Sequence, residues 1–217
     1  MLEMVLTGSW LVERVRNVAF SFAATQEKID EVRDSHFPFG KDGEPASKDA
    51  MKQLCVITSD FNLFSHETAI LALAKVIEDT QIDLKKVGDK FQFDPVKNHH
   101  GAHNLRELQK VKALANVIKH NGSYLMRNSS ESAKFLVDDI GLPDDIEFRR
   151  LLAPLHDELD MYKIIPNVMI GLFSVIGKKY GIALPFPDQY NHEKVWDELL
   201  PEYVHVKHPN KQFKRDS

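Results

Sequence analysis

Apolar residues recur at three- to four-residue spacing along most of this chain, which is the pattern of amphipathic α-helices. The first such stretch predicts a helix from about Ser9 to Arg33, with candidate capping residues at Thr7, Gly8 and Ser9. Residues 37–45 are rich in proline and glycine and are predicted to form a loop. The apolar side of this first helix is made by Trp10, Val15, Val18, Ala19, Phe22, Ile29 and Val32.

Two further helices are predicted from two serines. Ser47 is a candidate N-cap for a helix that passes through Cys55, and Ser65 is a candidate N-cap for the next one. The predicted break between them falls at residues 58–60. The apolar run 54–57 would also fit a short strand, because periodicity does not separate the two in so short a run.

The clearest helix of the chain extends from about Asn104 to His120. Before it the pattern weakens, and residues 91–93 are predicted to be a short extended piece. After it, a polar loop at residues 128–131 precedes a short helix that ends at Gly141. Glycine commonly follows the last turn of a helix, since it adopts positive φ without strain.

Prolines mark the elements that follow. Pro143 is placed to start a helix that reaches Leu159 with a kink at Pro154, and Pro166 is placed to start another. Near the end, only a short amphipathic turn is predicted, with Val195, Trp196 and Leu199 on its apolar side.

Strand-like alternation is scarce, so the chain is predicted to be all-α. We expect a single-domain bundle of about six to seven helices over residues 1–204. Residues 205–217 mix histidine, lysine and arginine and are predicted to be a basic C-terminal tail. Such a tail is either a solvated, frayed end or an arm for a partner.

Composition and charge narrow the class of protein. The chain has 217 residues, is 43% hydrophobic and 28% charged, and carries a formal net charge of -4. This is an ordinary globular composition, and the net charge predicts neither DNA nor an anionic membrane as a partner. No apolar run reaches the length of a membrane span, and no signal segment is recognised at the N-terminus.

The single cysteine, Cys55, lies in the apolar run 54–57 and is predicted to be a buried core thiol. No intramolecular disulfide can form with one cysteine. A chain without disulfides fits a reducing compartment, so we expect it to be cytoplasmic.

The helix from Asn104 to His120 carries the candidate chemistry. One side is apolar and predicted to face the core, with Leu108, Val111, Leu114, Ala115 and Ile118. The opposite side carries Gln109, Ala113, Asn116 and His120, with Arg106, Lys112 and Lys119 at its edge. Ala113 would leave room for a ligand to approach.

An imidazole beside an amide and an ammonium is a workable site for a phosphate or a polarised hydroxyl. His120 would transfer a proton, Asn116 would orient the ligand, and Lys119 would stabilise negative charge. The alternative is a solvated helix end, where Lys119 and His120 complement the C-terminal dipole.

The segment Ala115-Asn-Val-Ile-Lys-His120, followed by Asn121 and Gly122, resembles the signature of HEPN-domain proteins. That family consists of all-α domains found in bacterial toxins and defence proteins. The resemblance implies metal-independent RNA cleavage by an arginine and a histidine from two protomers. Here Asn116 matches the polar position and His120 the histidine, whereas Ala115 occupies the arginine position.

A second match to the same signature is formed by Arg149, Arg150 and His156, whose spacing falls within the family's range. It predicts a further, weaker set of catalytic candidates, in which an arginine would stabilise a phosphate. The alternative is an amphipathic helix whose arginines extend their charged ends to water.

Other chemistry has little support in the sequence. His99 and His103 have the spacing of two metal ligands on one helical side, and His100 lies between them. Only folding could bring His120 in as a third ligand, and no cysteine or carboxylate pair nearby completes a site. No metal and no cofactor are therefore predicted, since nucleotide-binding motifs are also missing.

Two hypotheses remain. The first is an HEPN-like ribonuclease that uses His120, Asn116 and a basic residue. The second, favoured because Ala115 replaces the arginine, is a non-catalytic or weakly catalytic HEPN-like subunit of a bacterial defence or toxin–antitoxin system. That subunit would bind a protein partner or its own copy, with RNA as a further ligand, through Arg106, Gln109 and Lys112 or the tail.

Overall fold

The computed structural model describes residues 2–36, 47–86, 104–152, 157–180 and 191–200. These ranges contain seven α-helices and one two-stranded sheet, which confirms the predicted all-α class and the predicted number of helices. Within the same ranges, no helix is both long and apolar enough to cross a membrane.

Helices α1 (Leu2–His36) and α2 (Lys48–Lys86) form a long antiparallel pair. Arg14 pairs with Asp83 at 3.0 Å, and further along α1 the Gln26 amide donates to Asn62 Oδ1 at 3.1 Å. The predicted capping residues 7–9 lie inside α1, so that N-terminal boundary was wrong. A glycine or serine costs a helix interior at most about 1 kcal/mol, which the buried stretch of α1 outweighs.

The break predicted near residues 58–60 is also wrong, because α2 continues through it without interruption. Ser47 caps α2 as predicted, with its hydroxyl accepting from the Ala50 amide at 3.1 Å. Thr58 instead donates to the Leu54 carbonyl one turn earlier, at 2.9 Å. Ser65 is buried and accepts from Gln26 of α1 at 3.2 Å, so its hydroxyl is used between helices rather than at a helix start.

Cys55 is exposed, which corrects the prediction of a buried core thiol. The apolar run that contains it is helical and belongs to the first half of α2. No residue from 48 to 64 is buried, whereas buried residues recur from Ser65 onward. Residues 54–57 were expected to be buried in the core, but none of them is.

Helix α3 (Leu105–His120) follows the predicted boundaries closely, and its apolar side is buried in the core as expected. It packs closely against α6 (Met161–Tyr180) at Gly171. A Cβ added to Gly171 would lie 3.1 Å from the Asn104 carbonyl oxygen and 3.1 Å from Leu108 Cγ. A larger residue at position 171 would therefore push Leu108 or the Asn104 carbonyl away by a few tenths of an ångström.

Helix α4 (Glu131–Asp138) confirms the short helix predicted before Gly141. The Ser130 hydroxyl caps it by accepting from the Ala133 amide at 3.1 Å. A 3-10 turn, Arg127–Ser129, precedes it. Gly141 has φ of 86°, a conformation that favours glycine and ends the element.

The long helix predicted from Pro143 to Leu159 is wrong. Strand β2 (Ile146–Glu147) pairs antiparallel with β1 (Tyr124–Leu125), and α5 (Phe148–Leu152) is only five residues long. Asp145 has φ of 58°, which takes the backbone out of the helical region just before β2. A separate 3-10 turn, Asp157–Leu159, follows, and Pro154 lies outside the described residues.

Pro166 was predicted to start a helix but lies inside α6. Proline has no N–H, so the Tyr162 carbonyl loses its ordinary helical donor. The Trp196 indole N–H donates to that carbonyl at 2.8 Å instead. Trp196 belongs to α7 (His192–Leu199), which confirms the predicted amphipathic turn.

Helix α6 lies at the centre of the core, with most of its described side chains buried. Polar contacts hold both ends of α7, one of them to α6 and the other to α1. His192 Nε2 donates to Asn167 Oδ1 at 2.7 Å, and Arg16 of α1 donates to the Leu199 carbonyl at 2.9 Å. The arginine thus satisfies a carbonyl that the end of α7 leaves without a helical donor.

Candidate functional site

The polar side of α3 is partly covered, contrary to the sequence prediction. Ala113, expected to leave room for a ligand, is buried. The Asn116 amide donates to Ser132 Oγ of α4 at 3.0 Å, and Gln109 is half-buried. Helix α4 therefore packs along the surface that we predicted to be open.

The basic residues along α3 differ in their freedom to bind a ligand. The Arg106 guanidinium donates to the Asp139 carbonyl and so ties α3 to the end of α4. Lys112 is half-buried, and Lys119 and His120 are exposed at the C-terminus of α3. Within the described ranges, neither the Lys119 ammonium nor the His120 imidazole makes a hydrogen bond or an ion pair.

The two-stranded sheet brings the second predicted motif towards the first. The Phe148 amide donates to the Ser123 carbonyl at 2.8 Å, which places Arg149 and Arg150 within a few residues of the end of α3. Arg149 is engaged in an ion pair with Asp60 of α2 at 2.7 Å. Arg150 is exposed, and His156 lies outside the described residues.

The turn after α3 is built from strained and hydrogen-bonded residues. Gly122 and Ser123 have φ of 57° and 61°, and the Ser123 hydroxyl donates to Glu67 of α2. Tyr124 follows, and its hydroxyl donates to Asp145 Oδ1 at 3.0 Å, which raises the pKa of the phenol. This turn anchors the end of α3, but none of these contacts orients the His120 ring.

This arrangement has limited chemical scope. Lys119, His120 and Arg150 can attract a phosphate electrostatically, and imidazole can carry a proton near neutral pH. Proton transfer in catalysis also needs a held geometry, which Asn116 does not supply while it is bonded to Ser132.

Lys110, which the sequence analysis did not single out, is a buried lysine on α3. Its ammonium contacts Glu107 Oε1 at 2.7 Å and Glu158 Oε2 at 2.9 Å. Glu107 Oε2 is buried with no hydrogen-bond partner among the described residues. The ion pair with Glu158 connects the 3-10 turn Asp157–Leu159 to α3. Because two carboxylates hold the ammonium, Lys110 has a structural role and is not a candidate nucleophile.

A second group that was missed surrounds His66, between α1, α2 and α6. Its Nδ1 lies 2.8 Å from the Asn62 carbonyl, which only accepts, so Nδ1 carries the proton. Phe22 packs edge-on against the imidazole and also against Tyr162. Burial lowers the pKa of His66 and raises the pKa of Tyr162 to about 12.

The largest departure from expectation is an exposed apolar surface on α2. Ile57, Phe61 and Phe64 keep 49%, 56% and 64% of their surface accessible. Their spacing of four and three residues places them on one side of the helix, turned away from the core-forming residues of its second half. We call these three residues the apolar row; Val56 is exposed beside them.

The apolar row lies on a part of α2 that contains no buried side chain. Residues 48–64 of α2 and residues 27–34 of α1 contain no buried side chain, and we call these two stretches together the arm. Helical periodicity alone assigns an apolar stripe to the core. The sequence nevertheless indicated an exposed apolar surface, because α2 has apolar residues on two opposite sides. A helix at the surface of a bundle can bury only one of these sides in the core.

Metal binding finds no site in the part of the chain that the structure describes, where no three potential ligands converge. The histidines at positions 99, 100 and 103 lie outside that part, as does the tail at 205–217.

Comparison with family models, with curated proteins and with solved structures finds no match for this chain. The HEPN resemblance of α3 therefore stays a prediction.

Proposed function

We propose that this chain is a non-catalytic helical subunit that binds a protein partner through the apolar row of α2. The observation that carries the proposal is the exposure of Ile57, Phe61 and Phe64 on one side of one helix. Burying such a side chain is worth about 1.5–3 kcal/mol. Three adjacent ones are a costly surface to leave in water unless a partner covers them.

The shape of the arm supports the same proposal. Its α2 part, residues 48–64, is about 25 Å long at 1.5 Å per residue. Anchors at i, i+4 and i+7 are the pattern by which one helix docks on another. The three anchors are accessible on one side of this helical stretch, while Asp60, Asn62 and Leu63 on its other sides contact the rest of the fold.

A non-catalytic role is favoured by the environment of Ala115. In the HEPN signature this position holds an arginine, and here Ala115 is buried in the core. An arginine at this backbone position would point into apolar surroundings and not towards His120. We therefore propose an HEPN-like subunit of a bacterial defence or toxin–antitoxin system that binds a partner and does not cleave RNA.

The experiment is site-specific crosslinking in the cells that naturally produce the chain. A photoreactive residue at Gln53, beside the apolar row, should capture a partner that is lost when Phe61→Glu is added. Ile82→Glu is the matched control, because Ile82 is on the same helix and 47% exposed but lies outside the row. Equal capture in both variants would exclude the apolar row as the binding surface.

A second candidate function is a metal-independent ribonuclease at the end of α3. The β1–β2 pairing favours it, since it brings Arg149 and Arg150 towards Lys119 and His120. Purified chain would then cleave RNA in the presence of a metal chelator, and His120→Ala would abolish the cleavage. Unchanged cleavage in His120→Ala, or none in the wild type, would reject this function.

A further inference from the structure

We infer that the partner on the apolar row is a second copy of this chain, with two α2 helices antiparallel across a two-fold axis near Phe61. This inference rests on the proposed function, because it assumes that the apolar row is a binding surface. It goes further by naming the occupant and the register in which it docks.

The row is self-complementary about one point. In an antiparallel pair centred between Ile57 and Phe64, each Ile57 meets the Phe64 of the other copy, and the two Phe61 side chains meet near the axis. One turn further out, Gln53 meets Thr68, and both can hydrogen-bond. A two-fold interface requires this reciprocal match of one surface with itself.

Charge supports the same register. On the outward side of α2, the residues between 50 and 68 are Ala50, Gln53, Ile57, Phe61, Phe64 and Thr68, and none of them is charged. Asp60 flanks the axis and would approach its own copy. Arg149 neutralises it through the 2.7 Å ion pair, so the centre of the interface carries no unpaired like charges.

The available area suits a reversible dimer. Large apolar side chains have roughly 200 Å² each, so the three half-exposed side chains of the row offer roughly 300 Å² per copy. Two copies bury roughly 600 Å² of apolar surface, and with the polar residues around it the interface stays at or below the 1,200 Å² at which specific interfaces begin. We therefore expect dissociation on dilution.

Sedimentation velocity of the purified full chain over a range of concentrations tests the inference. The wild type should move from monomer to dimer as concentration rises, and Phe61→Glu should raise the dissociation constant by about 30-fold or more. Ile82→Glu should dimerise like the wild type. Circular dichroism of each variant checks that a change in association is not a loss of folding.

A crosslinking experiment tests the register. In a Cys55→Ser background, Asp60→Cys places one thiol beside the axis and keeps all three side chains of the row. A bismaleimide of about 8 Å span, comparable to the distance between packed helices, should link two copies efficiently. Ile82→Cys in the same background should not crosslink. Equal yields from the two positions would overturn the antiparallel register.

The role assigned to Arg149 has its own readout. Arg149→Ala should weaken dimerisation about threefold at low salt, because the Asp60 carboxylates then face each other without a counter-charge. The defect should shrink at high salt as the repulsion is screened. A salt-independent defect would contradict this role.

Failure of the inference can be told apart from failure of the proposed function. If the chain stays monomeric at all concentrations while the Gln53 crosslink in cells still depends on Phe61, the partner is a different protein and the second copy is excluded. If the crosslink is also independent of Phe61, both the inference and the proposed function are wrong.

Discussion

At the scale of single residues, polar groups in this fold are satisfied by partners distant in the sequence. Lys110 is held by Glu107 and by Glu158, 48 residues away, and Gln26 of α1 supplies hydrogen bonds to Asn62 and Ser65 of α2. A buried charge or amide without such partners would cost several kcal/mol. These contacts are invisible in a sequence because the partner is brought in only by folding.

His66 makes the free energy of unfolding depend on pH. Burial lowers its pKa below the ordinary 6.5, so between these two values the unfolded chain binds a proton that the folded chain does not. The contribution of His66 is thus complete above pH 6.5 and is lost as pH falls towards the folded-state pKa. Asp160 of the α6 start opposes the shift but does not cancel it.

Denaturant titrations between pH 7.5 and 5 should show this decline in the wild type and a smaller one in His66→Gln, which has no imidazole to protonate. His120→Gln is the control variant, because it removes an exposed imidazole by the same substitution. Parallel profiles for the wild type and His66→Gln would show that the imidazole is not responsible.

At the scale of elements, the contact between α6 and α7 compensates for a proline inside α6. Pro166 deprives the Tyr162 carbonyl of its helical donor, and the Trp196 indole supplies another at 2.8 Å. Tyr162 and Trp196 also pack together, with ring centroids 5.5 Å apart. The docking of α7 therefore supplies the donor that Pro166 removes from α6.

Trp196→Phe should lower the free energy of unfolding by about 1–3 kcal/mol, because it keeps a ring but leaves a carbonyl without a donor. Adding Pro166→Ala restores an N–H that can serve the same carbonyl. In that background Trp196→Phe should cost about 1 kcal/mol less, as measured by a double-mutant cycle in urea. Additive effects would mean that the indole and the proline are not coupled.

Element boundaries show where sequence reasoning succeeds. Helix α3 and helix α4 were located closely, since each has a single apolar side and a clear stop at Asn121 or near Gly141. The helix predicted from Pro143 was wrong, because residues 146–147 form strand β2 instead. Each of the two strands is only two residues long, and 20 residues separate β1 from β2. Strands this short carry no periodic signal.

At the scale of the whole molecule, the fold divides into a core and the arm. The core is formed around α6, while residues 48–64 and 27–34 contain no buried side chain. Local stability depends on buried apolar contacts, so it should fall along α2 from its second half to its first.

Hydrogen–deuterium exchange on dilute protein should show this gradient within one continuous helix. Amides of residues 48–60 and 27–34 should exchange faster than those of residues 69–84, because opening the arm does not disrupt the core. Mass spectrometry of overlapping peptides measures it directly. Uniform protection along α2 would contradict the division into core and arm.

The candidate site was predictable only in part. His120 and Lys119 are exposed as the amphipathic pattern of α3 required, but Ala113 is buried and Ser132 of α4 engages Asn116. Cys55 was wrongly assigned to the core, and the sequence did not identify the apolar row. Both errors have the same physical cause. An apolar residue is buried only if another element reaches it, and the sequence does not state how far the core extends along a 39-residue helix.

The sequence by itself determined the helical class, the Ser47 cap of α2 and the apolar side of α3, because these depend on contacts between residues a few positions apart. Only the tertiary structure decided which apolar sides are buried. It buries one side of α2 against α1 and the rest of the core and leaves Ile57, Phe61 and Phe64 exposed. Burial depends on contacts between residues that are far apart in the sequence. The exposed surface that we propose for binding could therefore be identified only from the folded structure.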